Sequence, residues 1–217
     1  HFSEKQTMPD FMPGTGDPTV TPDPGAGPWN VESMSVDTLA FRAAFFRFWP
    51  EALVVIGDDA VKHMFHYFRN TGADYTIDLE GMVNEVPSAR LRYAFEVAAA
   101  KRYVQRLPVG THQFTSRRAV NGYNRQGENR NWFFAIGGYS VWSKGTATVS
   151  MNASGQKSYS MQFEYKFFDR YNWDGGKSVN LLGVTITDAF MGRMHREGMA
   201  REYNCYGSFR KTFTWGA

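Results

Sequence analysis

In the segment SMQFEYKFFDRYNWDGGK, strand alternation places Phe163, Tyr165, Phe167, Asp169, Tyr171 and Trp173 on one face and Glu164, Lys166 and Arg170 on the other. Asp169 thus continues an apolar face, where a lone charge is costly, and it requires a cation, a metal or a hydrogen-bond donor at the mouth of the sheet. A carboxylate so placed suits a base or a metal ligand. It equally suits a salt bridge to a nearby Arg, or closure of the turn from Asn172 to Gly176. Asp174 and Lys177 lie just past the strand, and His195 and Arg196 follow on a short helix. His carries protons near pH 7, Arg and Lys grip phosphate oxygens, and paired carboxylates hold a hard cation. The plainer reading of His195 is a helix-face residue favoured near a C-terminus.

The elements that must bring them together divide into two halves. Asp37 caps a helix through Leu39, Phe41, Phe45, Phe46 and Trp49, which Pro50 interrupts. Asp58 or Asp59 caps a second, through Val61, Met64, Phe65 and Phe68, and Ser88 a third, from Leu91 towards Tyr103. Past Pro108 the apolar period becomes 2. Phe133 to Trp142 reads as a strand bent at Gly137 and Gly138, followed by a strand from Thr146 to Met151, a turn at Asn152 to Gly155 and the long strand from Tyr159 to Tyr171. Thr187 caps a helix over Asp188 to Glu197 that Gly198 ends. Ala200 to Tyr206 and Phe209 to Trp215 flank Gly207 and Ser208 at the spacing of a hairpin. The fold class expected is α+β: a helical layer over 36–107 packed on a twisted antiparallel sheet or open half-barrel over 108–217, closing with a short helix and a C-terminal hairpin.

Composition bounds the rest. The 217 residues are 42% hydrophobic, enough for one substantial core. Lys plus Arg number 24 against 21 Asp plus Glu, a charge of +3 that does not point to nucleic acid. A single cysteine, Cys205, excludes an intramolecular disulfide, and the longest apolar run, Ala52 to Ile56, is far too short to cross a bilayer. Six of the nine prolines and four glycines fall between Pro9 and Pro28, so residues 1–35 read as a linker tethering this domain to a delivery module, or as a floppy or packed N-terminal arm, and the chain as a released C-terminal part of something longer. The aromatic count, 18 Phe, 11 Tyr and 6 Trp, exceeds ordinary needs and supplies binding walls as well as core.

From Ala60 to Phe213 the order of features resembles the activity domain of colicin M and its relatives, bacteriocins that degrade lipid II. The matching features are a helix ending in His66 and Tyr67, the turn of Asn70 to Ala73, a helix leading to Pro108, GGY at Gly137 to Tyr139, GTATVSMNASG from Gly145, and Asp169 to Asn172. The family signature is Asp-x-Tyr-Asp, five residues, then His-Arg. Asp169 and Tyr171 match it, whereas Asn172 replaces the second Asp and Ser178 and Val179 stand at the His-Arg positions; the later pair His195 and Arg196, with Asp174, would have to substitute. The resemblance implies an antibacterial toxin domain that hydrolyses lipid II between undecaprenol and pyrophosphate with Mg²⁺. Asp169, Tyr171 and His195 would be catalytic, Asp169 and Asp174 would hold the metal, and Lys177 and Arg196 would bind substrate.

The same resemblance implies secretion or delivery from a producer and action in the target's periplasm or at the outer face of its cytoplasmic membrane. It implies lipid II or another anionic envelope intermediate as partner, a cognate immunity protein and an upstream delivery module. The departure from the signature keeps two alternatives open: a non-enzymatic lipid II or envelope-binding domain, and a hydrolase of another envelope substrate. His63 and His66, three apart on one helix, lack the Glu of a zinc HExxH motif and read as one buried and one solvent-facing residue. His112 reads as structural. Arg117, Arg118, Arg125 and Arg130 read as a solvated loop that could also meet phosphates.

Overall fold

The computed structural model describes residues 9–121, 127–173, 176, 178–181 and 184–216. In chain order the elements are β1 (Phe11–Pro13), α1 (Val36–Ile56), α2 (Asp58–Phe68), β2 (Tyr75–Thr76), α3 (Leu79–Glu85), α4 (Pro87–Gln105), β3 (Gly110–Ser116), β4 (Ala119–Asn121), α5 (Arg130–Ala135), β5 (Tyr139–Met151), β6 (Lys157–Tyr171), β7 (Ser178–Leu181), β8 (Val184–Thr187), α6 (Asp188–Arg196) and β9 (Tyr203–Gly216). This is an α+β fold. The main sheet runs β1-β3-β5-β6-β9-β2, with β4 on the end of β5; β2 lies parallel to β9 and the other pairs are antiparallel.

β6 is the spine because its aromatics alternate. Tyr159, Met161, Phe163, Tyr165, Phe167, Asp169 and Tyr171 are buried, while Ser158, Ser160, Gln162, Glu164, Lys166 and Arg170 are exposed or partly so. α4 lies across the buried face, its Tyr93 ring 5.2 Å from Tyr165 and 5.1 Å from Phe209. Within the same layer Arg92 donates to Glu96 at 2.7 Å and Ser143 to Glu96 at 2.7 Å, so a fully buried carboxylate is paired across the helix–sheet interface.

Several elements differ from the sequence expectation, each for an identifiable reason. α1 does not stop at Pro50: the backbone leaves helical values at Phe48 (φ −114°, ψ 21°) and resumes to Ile56, the kink a proline imposes by removing one amide and crowding the preceding turn. α4 begins at Pro87, an N1 proline, rather than being capped by Ser88, and the short helix α3 precedes it, its Asp78 carboxylate accepting from Gly81 N at 2.9 Å. Phe133 to Ala135 belong to a helix, not a strand. Asn129 caps it, accepting from Trp132 N at 3.1 Å. The C-terminal hairpin is absent: β9 runs continuously through Gly207 and Ser208, pairing with β6 from Tyr171↔Tyr203 to Ser158↔Gly216. The helix capped by Thr187 forms as expected, with Thr187 Oγ1 accepting from Phe190 N at 3.1 Å and Gly198 following at φ 68°.

Residues 9–35 are packed along the domain. β1 pairs with β3, and Asp17 accepts from Trp142 Nε1 at 2.9 Å while bridging Lys144 at 2.9 Å and Lys166 at 2.5 Å. These contacts outweigh the effect of burial and lower the Asp17 carboxyl to about 2. Farther on, Trp29 donates to Asn70 Oδ1 at 2.9 Å beneath the Arg201 guanidinium, and the amides of Val31 and Glu32 cap the last turn of α6 at Arg196 O. Prolines suit such an arm, since their fixed φ leaves less backbone entropy to lose on docking.

Candidate active site

A cavity of about 510 Å³ opens at the C-terminal end of β6. Asp169 lies in its wall, at the last inward position before Tyr171, and the chain turns away there through Asn172 and Trp173. Burial pushes its carboxyl up to about 7, against the opposing effect of hydrogen bonds from the backbone amides of Arg170 and Gly137; the negative charge of Asp23 pushes in the same direction as burial. Phe133, Phe134 and Trp173 supply aromatic walls, Asp188 at the start of α6 and Asp23 of the N-terminal arm supply two more carboxylates, Arg170 supplies a cation, and Ser178 stands at the start of β7. Arg170 donates to Asn204 Oδ1 at 3.3 Å and lies 3.6 Å from Glu202, whose buried carboxylate also accepts from the amides of Trp173 at 2.9 Å and Ala26 at 3.0 Å. One buried glutamate therefore ties the arm to the cavity wall.

The remaining sequence candidates are distributed differently. Tyr171 lines the cavity, but its hydroxyl donates to Met64 Sδ at 3.3 Å and its ring stacks on Tyr203 at 5.0 Å; burial raises its pKa far above the phenolic range. His195 is buried with both ring nitrogens occupied: Nδ1 accepts from the amide of Glu202 at 3.0 Å and Nε2 donates to the carbonyl of Gly27 at 3.0 Å. Burial lowers its pKa, outweighing the Glu202 charge and the Gly27 bond. It is a fixed neutral imidazole that fastens the arm, and it is not part of the cavity lining. Arg196 is likewise engaged with the arm, donating to Glu32 at 2.6 Å and Ala26 O at 3.4 Å. Asp174, Lys177 and Arg125 lie outside the described residues.

The discounted histidines also have local partners. His63 is buried, with Nδ1 2.8 Å from Tyr203 Oη, and burial brings its pKa down to about 3. His66 Nε2 donates to Ala73 O at 2.7 Å and His112 Nε2 to Pro108 O at 2.9 Å. Arg117 pairs with Asp10 at 3.1 Å.

The oxygen donors facing the cavity are of the kind Mg²⁺ takes. Among the described residues, which do not include Asp174, no three His, Cys, Asp or Glu side chains are grouped closely enough to hold an ion. Asp23, Asp188 and Arg170 are site residues that sequence reasoning missed. Asp23 lies 146 positions from Asp169 and carries no local signal (169 − 23). Arg170 alternates to the outer face but reaches the cavity where the strand ends, and Asp188 was visible only as the first residue of a capped helix.

No protein-family model matches the chain, and no curated protein matches it. Among solved structures it is similar to truncated syringacin M, a bacteriocin from Pseudomonas syringae pv. tomato DC3000, at 18% identity over 72% of this chain and 59% of that one, with a TM-score of 0.37. PaeM, a colicin M-like bacteriocin produced by Pseudomonas aeruginosa, is 15% identical over 73% of this chain and 51% of its own, with a TM-score of 0.39. Pectocin M2 is 11% identical over 85% of this chain and 64% of its own, with a TM-score of 0.32. The chain spans less than two thirds of the length of each of these structures. No helix among the described residues is long and apolar enough to cross a membrane.

Proposed function

We propose that this chain is an antibacterial toxin domain that hydrolyses lipid II between undecaprenol and pyrophosphate, blocking peptidoglycan synthesis from the periplasmic side of the target. The observation that carries the reading is Asp169: a buried carboxyl with a pKa of about 7 in an aromatic-walled cavity, followed by Tyr171 in the order of the lipid II-degrading signature. A carboxylate near neutrality is matched to proton transfer at physiological pH. In its ionised form Asp169 takes a proton from water as the water oxygen bonds to the first carbon of the undecaprenyl chain; the bond from that carbon to the pyrophosphate oxygen breaks, its electron pair leaves on the pyrophosphate, and Arg170 faces that charge. Phe133, Phe134 and Trp173 give the prenyl chain an apolar wall. Mg²⁺ dependence and a cognate immunity protein are part of this proposal.

Incubation with lipid II and Mg²⁺, with and without chelator, tests it. The expected product is the pyrophosphorylated sugar-peptide, abolished in Asp169→Ala; absence of product from the wild type, or equal product from the variant, overturns the hydrolytic claim. A second reading, a non-enzymatic envelope-binding toxin, is favoured by the full occupation of His195 and Arg196 and by Asn172 in place of an acid. Toxicity retained by Asp169→Ala supports that reading.

A further inference from the structure

Helix α1 carries more apolar surface than the fold beneath it covers. Thr38, Phe45, Ala52 and Ile56 are its buried positions, whereas Val36, Leu39, Phe46, Phe48, Trp49 and Val54 are exposed, Val54 to 85%. A helix apolar on all sides normally lies inside a core or a membrane; this one lies at the surface, with Phe46 and Trp49 both half-seated against Phe65 of α2 at 5.6 and 5.7 Å and Phe48 exposed at the kink. The cations among them are placed to match. Arg47 stands over the Phe48 ring at 5.5 Å and meets no carboxylate among the described residues, while Arg42, over the Phe46 ring at 5.3 Å, is partly buried and donates to Phe68 O at 3.0 Å. Of the helix's two acids, Asp37 is held by Arg193 on α6, which leaves Glu51. Rings interleaved with guanidinium groups suit the headgroup boundary of an anionic bilayer, where rings enter the acyl margin and the cations meet phosphates.

We propose that α1 docks this protein onto an anionic phospholipid surface. The position of the helix gives docking a consequence. α1 contacts α6 through Phe41 and Phe190, 5.2 Å apart, and it packs against α5; these two helices supply Asp188 and the pair Phe133 and Phe134 to the cavity. A membrane held at α1 is therefore about one helix diameter, on the order of 10 Å, from both cavity-lining helices. The proposal stands apart from the hydrolytic reading, because vesicle binding requires no turnover.

The test is sedimentation of the full chain with vesicles of phosphatidylglycerol and phosphatidylethanolamine, against vesicles of phosphatidylcholine alone. Binding to the anionic vesicles is expected, weakening with added salt. It should fall about five-fold in Arg47→Gln and at least ten-fold in the triple variant Phe46→Ser, Phe48→Ser, Trp49→Ser. Circular dichroism checks that the triple variant is folded. Independently, the emission difference between wild type and Trp49→Phe reports Trp49 alone, and it should shift to the blue and be quenched by brominated lipid. No preference for anionic vesicles, full binding by the folded triple variant, or a Trp49 signal indifferent to lipid each overturns the proposal. So does self-association without vesicle binding that the triple variant abolishes, which assigns the patch to a second copy.

Discussion

His195 is held by Glu202 from the backbone side: the Glu202 amide donates to Nδ1 at 3.0 Å, which fixes the proton on Nε2 and points it at the carbonyl of Gly27, also at 3.0 Å. The imidazole is a clasp between the C-terminal turn of α6, the start of β9 and the N-terminal arm. His195→Ala leaves the buried Glu202 amide without a partner, at roughly 1–3 kcal/mol, and removes the part-buried bond to the Gly27 carbonyl, worth about 1 kcal/mol. The expected result is a loss of about 2–4 kcal/mol in denaturant unfolding, with new proteolytic cleavage within residues 20–28. Lipid II hydrolysis by the folded fraction should stay within about ten-fold of wild type, the scale of lost positioning rather than of a lost proton carrier. A loss of roughly 10³-fold or more would restore His195 to the chemistry.

Asp169 gives the opposite pattern, activity held at the expense of stability. Its carboxyl titrates at about 7 in the fold against the ordinary carboxyl value of 3.8 in the unfolded chain, so between those values the native protein keeps a proton that the unfolded chain has released. Stability therefore falls as pH rises from about 4 to 7 and stays lowered above that, by about 4 kcal/mol for this group. Asp169→Asn should abolish hydrolysis and raise Tm at pH 8 while changing it little at about pH 4. Wild-type hydrolysis should rise through a single ionisation near pH 7. On the acid side, His63 and His195 both have lowered pKa values, so neutral rings must charge on unfolding, and stability is lost as pH falls below about 6.5.

Tyr171 separates ring from hydroxyl. Its ring is stacked on Tyr203 and set against Trp173 at 5.6 Å, while its hydroxyl faces a thioether, a weak acceptor. Tyr171→Phe should cost under about 1 kcal/mol and leave hydrolysis largely unchanged. Tyr171→Ala should cost about 3–5 kcal/mol by opening the cavity wall. A Phe variant that folds but is inactive would show that the hydroxyl reaches substrate.

How much of this was legible in the sequence depended on whether the signal was local. The alternation of Phe163, Tyr165 and Phe167 located β6 and put Asp169 on its buried face; Thr187 and Gly198 bounded α6, and Asn152 marked its turn, accepting from the amides of Ser154 and Gln156. Such features depend on neighbours a few positions away. α5 was misread because RNWFFA is dense in aromatics that favour strands, although the capping Asn129 was present. The arm was legible only as one of two alternatives: its Pro and Gly content excludes a core of its own without deciding between a linker and an arm, and the carboxylates that fasten it, Glu197 and Glu202, lie more than 160 positions away from Ser35 and Ala26. Asp23 joins the cavity by the same non-local route.

Gly207 tests the most consequential misreading directly. In a two-residue hairpin it would supply turn conformations, and a side chain there would be strained by backbone geometry. In the continuous β9 it pairs with Phe167 and serves close packing instead: an added Cβ would lie 2.9 Å from Ile77 Cγ1 and 2.9 Å from Leu79 Cβ. That contact brings the entry to α3 down onto the sheet, and Ile77 N donates to Tyr206 O at 2.8 Å beside it. Gly207→Ala should therefore destabilise by about 1–3 kcal/mol through overpacking. The double variant Gly207→Ala, Ile77→Ala, which removes the Cγ1 atom that the inserted methyl group would meet at 2.9 Å, should cost less than the sum of the two single variants. Thermal unfolding of the four proteins in that cycle decides the matter. A Gly207→Ala cost that adds in full to that of Ile77→Ala would place the strain in the backbone and argue for a turn.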